Sequence, residues 1–232
     1  MKEGCVEYRY ISSGGLKNYL NNLFVLPIGS IEQHCGGPLG LDAIIAENIS
    51  KGLCRFIKDI VILPTIYYAF SPEWSNVPGT ISLNILSFSE MIKSILTSLY
   101  KSGIRRVLII NSHGGNSGLL EAIVREWINN YDKAIVILLD YWKVLNMEIG
   151  HAGKTEESLS KLIGISSIGN CKGIVKISKV RSKVIVKGPS IPSKTEENVA
   201  LEVSFEEIIN IIANEINDAL KIAENRGTYF LL

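Results

Sequence analysis

Runs of consecutive apolar, β-branched residues alternate along the chain with segments whose apolar positions recur every three or four residues. Residues 24–28, 60–63, 107–110 and 135–139 are short, rich in Val, Ile and Leu, and lack polar alternation. Parallel strands covered on both faces have this pattern. Residues 43–58 carry Ile44, Ile45, Ile49, Leu53 and Phe56 at helical spacing. Residues 87–102, opened by a Ser87 or Ser89 cap, carry Ile92, Ile95, Leu96 and Leu99, and residues 117–130 carry Leu120, Ile123, Val124 and Trp127. Strands alternating with such helices predict an α/β fold with a mainly parallel, doubly wound sheet.

The last third is patterned differently. Two β-like runs, 174–177 and 184–186, are separated by basic residues and predict a hairpin or edge strands. Residues 188–193 form a Gly/Pro/Ser loop, and residues 202–225 carry Val203, Ile208, Ile211, Ile212, Ile216 and Leu220 as a final amphipathic helix. Neither an internal repeat nor a low-complexity linker interrupts the chain, so residues 1–232 are expected to form one domain.

Composition narrows the classes of function. Lys plus Arg total 24 against 23 Asp plus Glu, a net charge of +1, which gives no electrostatic reason to expect nucleic acid or an anionic membrane as partner. Hydrophobic residues make up 47% and charged residues 20%, which excludes a disordered chain. No apolar run approaches the roughly 18 residues of a membrane span, and the N-terminus lacks the apolar stretch of a signal peptide. A cytoplasmic protein is the expectation. Cys5, Cys35, Cys54 and Cys171 are scattered without a C-x-x-C pair, which argues against both a disulfide framework and a Cys-ligated zinc site.

The chemistry concentrates around the histidines, of which there are three. His34 follows the first predicted strand in Gly29-Ser30-Ile31-Glu32-Gln33-His34, with Asp42 eight residues on. His113 follows the third strand in Asn111-Ser112-His113-Gly114-Gly115-Asn116. His151 follows the fourth in Gly150-His151-Ala152-Gly153-Lys154-Thr155-Glu156. Ligands of open α/β sheets collect at the carboxyl ends of strands, and imidazole with carboxylate suits Zn2+, Mn2+ or Fe2+. One histidine in such a place is usually structural, but all three beside glycines and acids point to a site. Cys35 is either a small buried hydrophobe or a thiol beside that site. Trp74 and Trp142 are candidates to stack on a planar substrate or to pack the core. The basic residues Lys172, Lys176, Lys179, Arg181, Lys183 and Lys187 read first as a solvated face.

Taken together, Glu32-x-His34…Asp42, Pro78-Gly79-Thr80-Ile81-Ser82-Leu83, Asn111-x-His113-Gly114-Gly115-Asn116 and His151-Ala152-Gly153-x-x-Glu156 resemble the creatininase (creatinine amidohydrolase) superfamily in matching order. The resemblance implies a three-layer α/β/α fold, two divalent metal ions (Fe2+, Zn2+ or Mn2+) and hydrolysis of an amide C–N bond. It implies that Asp42 bridges the metals, that Glu32 binds one, and that His34 and His113 bind the other. His151 would protonate the departing nitrogen. Creatininase takes a further ligand from a Glu two residues past the His113 position, which is Gly115 here. Glu156 is the candidate replacement, as ligand and as catalytic group. Trp74, Ser82, Gly114, Gly115, Asn116 and Trp142 are the expected substrate contacts.

Within the family, the compact length and His-Gly-Gly-Asn favour a hydrolase of the formamide on a formylaminopyrimidine ribonucleotide, in riboflavin and coenzyme F420 synthesis. A creatinine-like cyclic amide, a peptide bond, or a non-catalytic metal-binding paralogue are the alternatives. The loop of residues 35–41 is one residue shorter than the family pattern and lacks its second histidine, and Trp74 stands where a histidine is common. The partners expected are a small-molecule substrate and, as in the family, further copies of the chain in a homo-oligomer, with no nucleic acid or membrane.

Overall fold

A computed structural model describes residues 5–147, 150–166, 169–175, 187–195, 201–226 and 230–231. The four expected strands form the centre of a parallel sheet: β2 (Leu23–Ile28), β3 (Ile60–Ile62), β4 (Arg106–Asn111) and β5 (Ile135–Asp140). Two short strands that the apolar pattern does not reveal complete it, β1 (Cys5–Glu7) and β8 (Phe230–Leu231), giving the order β1-β3-β2-β4-β5-β8. Every pairing in this sheet is parallel.

Both faces are apolar because successive side chains of a strand point to opposite sides. Val25, Ile62, Leu108, Ile110, Ile137 and Leu139 pack on one side with α1 (Leu41–Leu53) and α6 (Phe205–Arg226). Phe24, Leu26, Val61, Val107, Ile109 and Leu138 pack on the other with α2 (Ile85–Lys101) and α3 (Ser117–Ile128). The result is the three-layer α/β/α arrangement. Two shorter helices, α4 (Tyr141–Val144) and α5 (Lys154–Leu162), follow β5.

Helix boundaries differ from the periodicity where capping decides them. The side chain of Asn84, not of Ser87 or Ser89, caps α2 by accepting from the Ser87 N–H. The first helix ends at Leu53 rather than at residue 58. The last helix starts at Phe205, because Ser204 and Glu207 exchange side-chain and backbone hydrogen bonds in a capping box. Of the two β-like runs expected in the last third, the first is described only as far as Val175, in a short strand. β6 (Gly173–Val175) pairs in parallel with β7 (Ser193–Thr195), which takes the end of the anticipated 188–193 loop into a strand. Residues 184–186, Lys176, Lys179, Arg181 and Lys183 lie outside the described residues, while Lys172 and Lys187 are exposed.

The cysteine expectation is overturned, since the structure pairs Cys5 with Cys54 and Cys35 with Cys171. Linear spacing carried no hint of this. The partners are 49 and 136 residues apart, and only the folded chain brings their Cα atoms to 5.6 and 5.0 Å. Cys54 closes the end of α1 against edge strand β1. Cys35 ties the loop after His34 to the approach to β6. Cross-links over loops of this length restrict the unfolded chain by about 4–5 kcal/mol each in the chain-entropy account. Thiol alkylation of the denatured, unreduced protein is therefore expected to label no cysteine, and reductant to lower the urea midpoint. Labelling of four thiols without reductant would disprove the pairing.

Candidate metal centre

Three connections converge beyond the carboxyl ends of β2, β4 and β5, whose last residues Ile28, Asn111 and Asp140 are in register. The chain leaves β2 toward β3 on one side and later adds β4 on the other, so a topological switch point, with its crevice, falls between β2 and β4. Gly29 makes the close approach there possible. A Cβ at this position would lie 2.0 Å from the backbone nitrogen of Ala43, so only glycine lets the start of α1 abut the strand end. That contact delivers Asp42, in the first turn of α1, to the crevice. Glu32 and His34 enter from the same connection, two residues apart, and offer ligand atoms within 4.8 Å of one another.

Asp42 lies at the middle of the cluster. Its Oδ1 is 3.2 Å from His34 Nε2, and its Oδ2 is 3.1 Å from His113 Nδ1. Ser30 Oγ donates to Oδ2 at 2.8 Å, and Ser112 Oγ donates to the Asp42 carbonyl. Glu32 Oε1 is 3.3 Å from His113 Nδ1 and 3.2 Å from His151 Nδ1. On the far side, Glu156 Oε2 is 3.8 Å from His34 Nε2 and accepts the Ala152 N–H at 2.6 Å. All six side chains are buried. Among the described residues, two buried polar side-chain atoms lack a hydrogen-bond partner, Glu32 Oε2 and His34 Nε2.

Backbone carbonyls orient two of the imidazoles. His34 Nδ1–H donates to the Glu32 carbonyl at 3.1 Å, and His113 Nε2–H donates to the Phe70 carbonyl at 3.1 Å. The remaining nitrogen of each ring therefore faces the carboxylates, as in metal-binding histidines whose outer N–H is anchored. Electrostatics follow the same plan. Burial alone would raise the Glu32 carboxyl, but the charge of His113 brings it down to about 2. Burial likewise opposes ionisation of Asp42, yet His34 and His113 hold it far below the usual carboxylate range. Burial disfavours the charged form of His34, and Asp42, Glu156 and Glu32 overcome that and push it up to about 9. Glu156 is raised, chiefly by burial.

A cavity of about 160 Å3 opens onto the cluster. Of the expected substrate contacts, Trp74, Gly114 and Gly115 line it, along with Glu32, Asp42, His113, His151 and Glu156. Ser82, Asn116 and Trp142 do not. Ser82 Oγ accepts the Ser71 N–H, Asn116 bonds the backbone of Phe70 and Gly29, and Trp142 packs in the core beside Tyr141. Cys35 is spent in its disulfide. The grouping of donors also departs from the expectation that His34 and His113 act together. They meet different oxygens of Asp42, His113 in company with Glu32 and His34 in company with Glu156.

Three participants are not among the site residues expected from the sequence, where Ser30 reads as an ordinary turn residue rather than a nucleophile. Ser30 braces Asp42, Glu73 Oε1 lies 3.6 Å from His113 Nε2, and Gln33 contacts His151. The positions of Gln33 between two candidate ligands and of Glu73 beside Trp74 were the available signals.

Comparison with known proteins identifies the family. The family profile described as "Creatininase: Creatinine amidohydrolase" matches residues 14–164. A 2-amino-5-formylamino-6-ribosylaminopyrimidin-4(3H)-one 5'-monophosphate deformylase of Methanococcus maripaludis strain C5 is 29% identical over 174 residues, 72% of this chain and 71% of that protein. The deformylase of the same name from Methanocaldococcus infernus is 25% identical over 227 residues, 88% of this chain and 95% of that protein. A solved structure described as "Creatininase Mn" shares the fold with a TM-score of 0.76 at 18% identity, covering 95% of this chain and 98% of that one. The profile spans well over half of the sequence, and the chain belongs to the creatininase family of amidohydrolases.

Proposed function

We propose that the protein is a two-metal amidohydrolase that removes the formyl group from a formylaminopyrimidine ribonucleotide of riboflavin and F420 synthesis. One observation carries the metal part of this reading. Asp42 offers one oxygen toward His34 and the other toward His113, while His34 Nε2 and Glu32 Oε2 are buried without hydrogen-bond partners. Each buried, unpartnered polar atom costs about 1–3 kcal/mol, and a cation at the cluster removes that cost. The donors present, imidazole and carboxylate, suit Fe2+, Zn2+ or Mn2+. Glu32, Asp42 and His113 would hold one ion, and His34, Asp42 and Glu156 the other, with Asp42 shared. Such ions, when bound, activate water and polarise the scissile carbonyl.

The chain's own residues supply the rest. His151 Nδ1 stands beside Glu32 at the cavity wall, where a departing amine needs a hydrogen-bond donor. Trp74 stacks on the His151 ring with centroids 4.1 Å apart and closes that wall. At Gly115 a Cβ would lie 2.5 Å from His113 Nε2 and 2.7 Å from Glu73 Oε1, so a side chain there would displace both. Glu156 serves in this chain as the carboxylate ligand on the His34 side. The cavity of about 160 Å3 is smaller than the ~300–1,000 Å3 of sites that engulf a drug-sized ligand. That favours burial of a formyl-sized group, and relatives named as the deformylase support the same substrate.

Metal-loaded protein is expected to release formate from the formylaminopyrimidine nucleotide, and chelation to abolish the release. Asp42→Ala should lower it by more than about 100-fold, beyond the loss typical of outer-shell changes. Turnover of creatinine without formate production would overturn the substrate, and full activity of the metal-stripped protein would overturn the mechanism.

The raised His34 makes a second, independent prediction for the metal-free protein. A histidine whose folded pKa rises from 6.5 to about 9 adds stability that is fully present below pH 6.5 and is lost as pH climbs through 9. Thermal unfolding in chelator should therefore show Tm falling across that window. Metal competes with the same proton on His34, so the loaded protein should not show this fall, and metal affinity should rise with pH. Equal pH profiles with and without metal would contradict the assignment of His34 as a ligand.

A further inference from the structure

His151 differs from the other two histidines in what holds it. His34 and His113 each donate an outer N–H to a backbone carbonyl. The outer nitrogen of His151, Nε2, instead lies 2.6 Å from the side-chain amide nitrogen of Gln33. Which of these two atoms donates follows from the remaining contacts of Gln33. Its Nε2 also lies 2.6 Å from the Ser193 carbonyl, which can only accept, and its Oε1 is 3.2 Å from the Cys35 N–H, which can only donate. Turning the amide over would set oxygen against oxygen at Ser193 and N–H against N–H at Cys35. The amide is therefore fixed with its NH2 toward His151, one hydrogen for Ser193 and one for the imidazole. His151 Nε2 must accept, and the ring proton of the neutral imidazole resides on Nδ1, 3.2 Å from Glu32 Oε1.

We propose that Gln33 is a positioning residue that keeps His151 in its Nδ1–H form, making this third histidine a hydrogen-bond donor into the cavity rather than a metal ligand. The distinction matters because Glu32, His34 and His151 offer donor atoms within 4.8 Å of one another, close enough to chelate a cation if the inward nitrogen of His151 carried a lone pair. With the proton there, the lone pair points away, and Gln33 occupies it. Further contacts keep the ring in place. Trp74 stacks on its face, and β7 holds its backbone, since the His151 N–H donates to Thr195 Oγ1 at 2.9 Å and the Thr195 N–H donates to the His151 carbonyl at 2.8 Å. Ser193, which anchors Gln33, belongs to the same strand. The small sheet of the last third thus gains a task, holding the donor histidine from both its backbone and its amide partner.

This inference rests on the two-metal reading, and its test separates the two. Imidazole 15N–1H NMR on the full-length, zinc-loaded protein at mildly alkaline pH resolves three rings, with His151 identified by its loss in His151→Asn. The expected spectrum has a proton on His151 Nδ1 and an unprotonated, metal-free Nε2, with His34 bound to zinc through Nε2 and His113 through Nδ1. A protonated Nε2 or a zinc-bound nitrogen on His151 would overturn the proposal.

In Gln33→Leu the Nδ1–H signature should give way to a mixture of tautomers, while two zinc ions remain bound. Formate release should fall about 10–100-fold in kcat, the size of outer-shell effects, with KM little changed. Gln33→Glu, which accepts where glutamine donates, should move the proton to Nε2. An unchanged tautomer and kcat in Gln33→Leu would refute the role. If that variant fails to fold, the wild-type spectrum and Gln33→Glu decide. Should the wild-type protein bind zinc but release no formate, the substrate reading fails and the spectrum still judges Gln33.

Discussion

Everything at the strand ends depends on keeping one fully buried carboxylate ionised. Removing a carboxylate from water costs several kcal/mol even after relaxation, and Asp42 has no solvent with which to recover it. The structure offsets that cost through placement. Asp42 sits in the first turn of α1, where the helix dipole favours negative charge. Ser30 donates to one of its oxygens, and an imidazole faces each oxygen. Each of these contacts requires α1 to press against the end of β2, and Gly29 is what permits it. A backbone constraint at one glycine is thereby converted into the electrostatics of the whole centre.

The sequence revealed the parts of the fold that repeat a physical pattern. Strands β2 to β5 were readable because burial on two faces leaves no polar alternation. β1 and β8, of three and two residues, are too short to show a pattern and exist because a neighbouring strand edge accepts them. The site was readable for a related reason. Glu32, His34, Asp42, His113, His151 and Glu156 each follow a strand of a parallel sheet, so one edge gathers them whatever their distance along the chain. How the donors divide around Asp42 depends on side-chain direction, which periodicity does not encode. The two disulfides and the hold of Ser193 on Gln33 were hidden for the same reason, being contacts between distant segments with no local signature.

The three histidines show how one side chain acquires different chemistry from its outer nitrogen alone. A carbonyl at that nitrogen, as for His34 and His113, turns a lone pair inward. An amide N–H there, as for His151, turns a proton inward. The selecting group is a backbone carbonyl in two cases and a side-chain amide in the third, while the rings themselves are identical in composition.

The anchoring of Gln33 by a carbonyl 160 residues further along also divides the candidate centre between two stretches of sequence. The residues proposed to hold metal lie between Glu32 and Glu156, whereas the strand that anchors Gln33 and His151 is β7, Ser193–Thr195. Changes confined to that strand can alter the setting of one imidazole while leaving every proposed ligand in place.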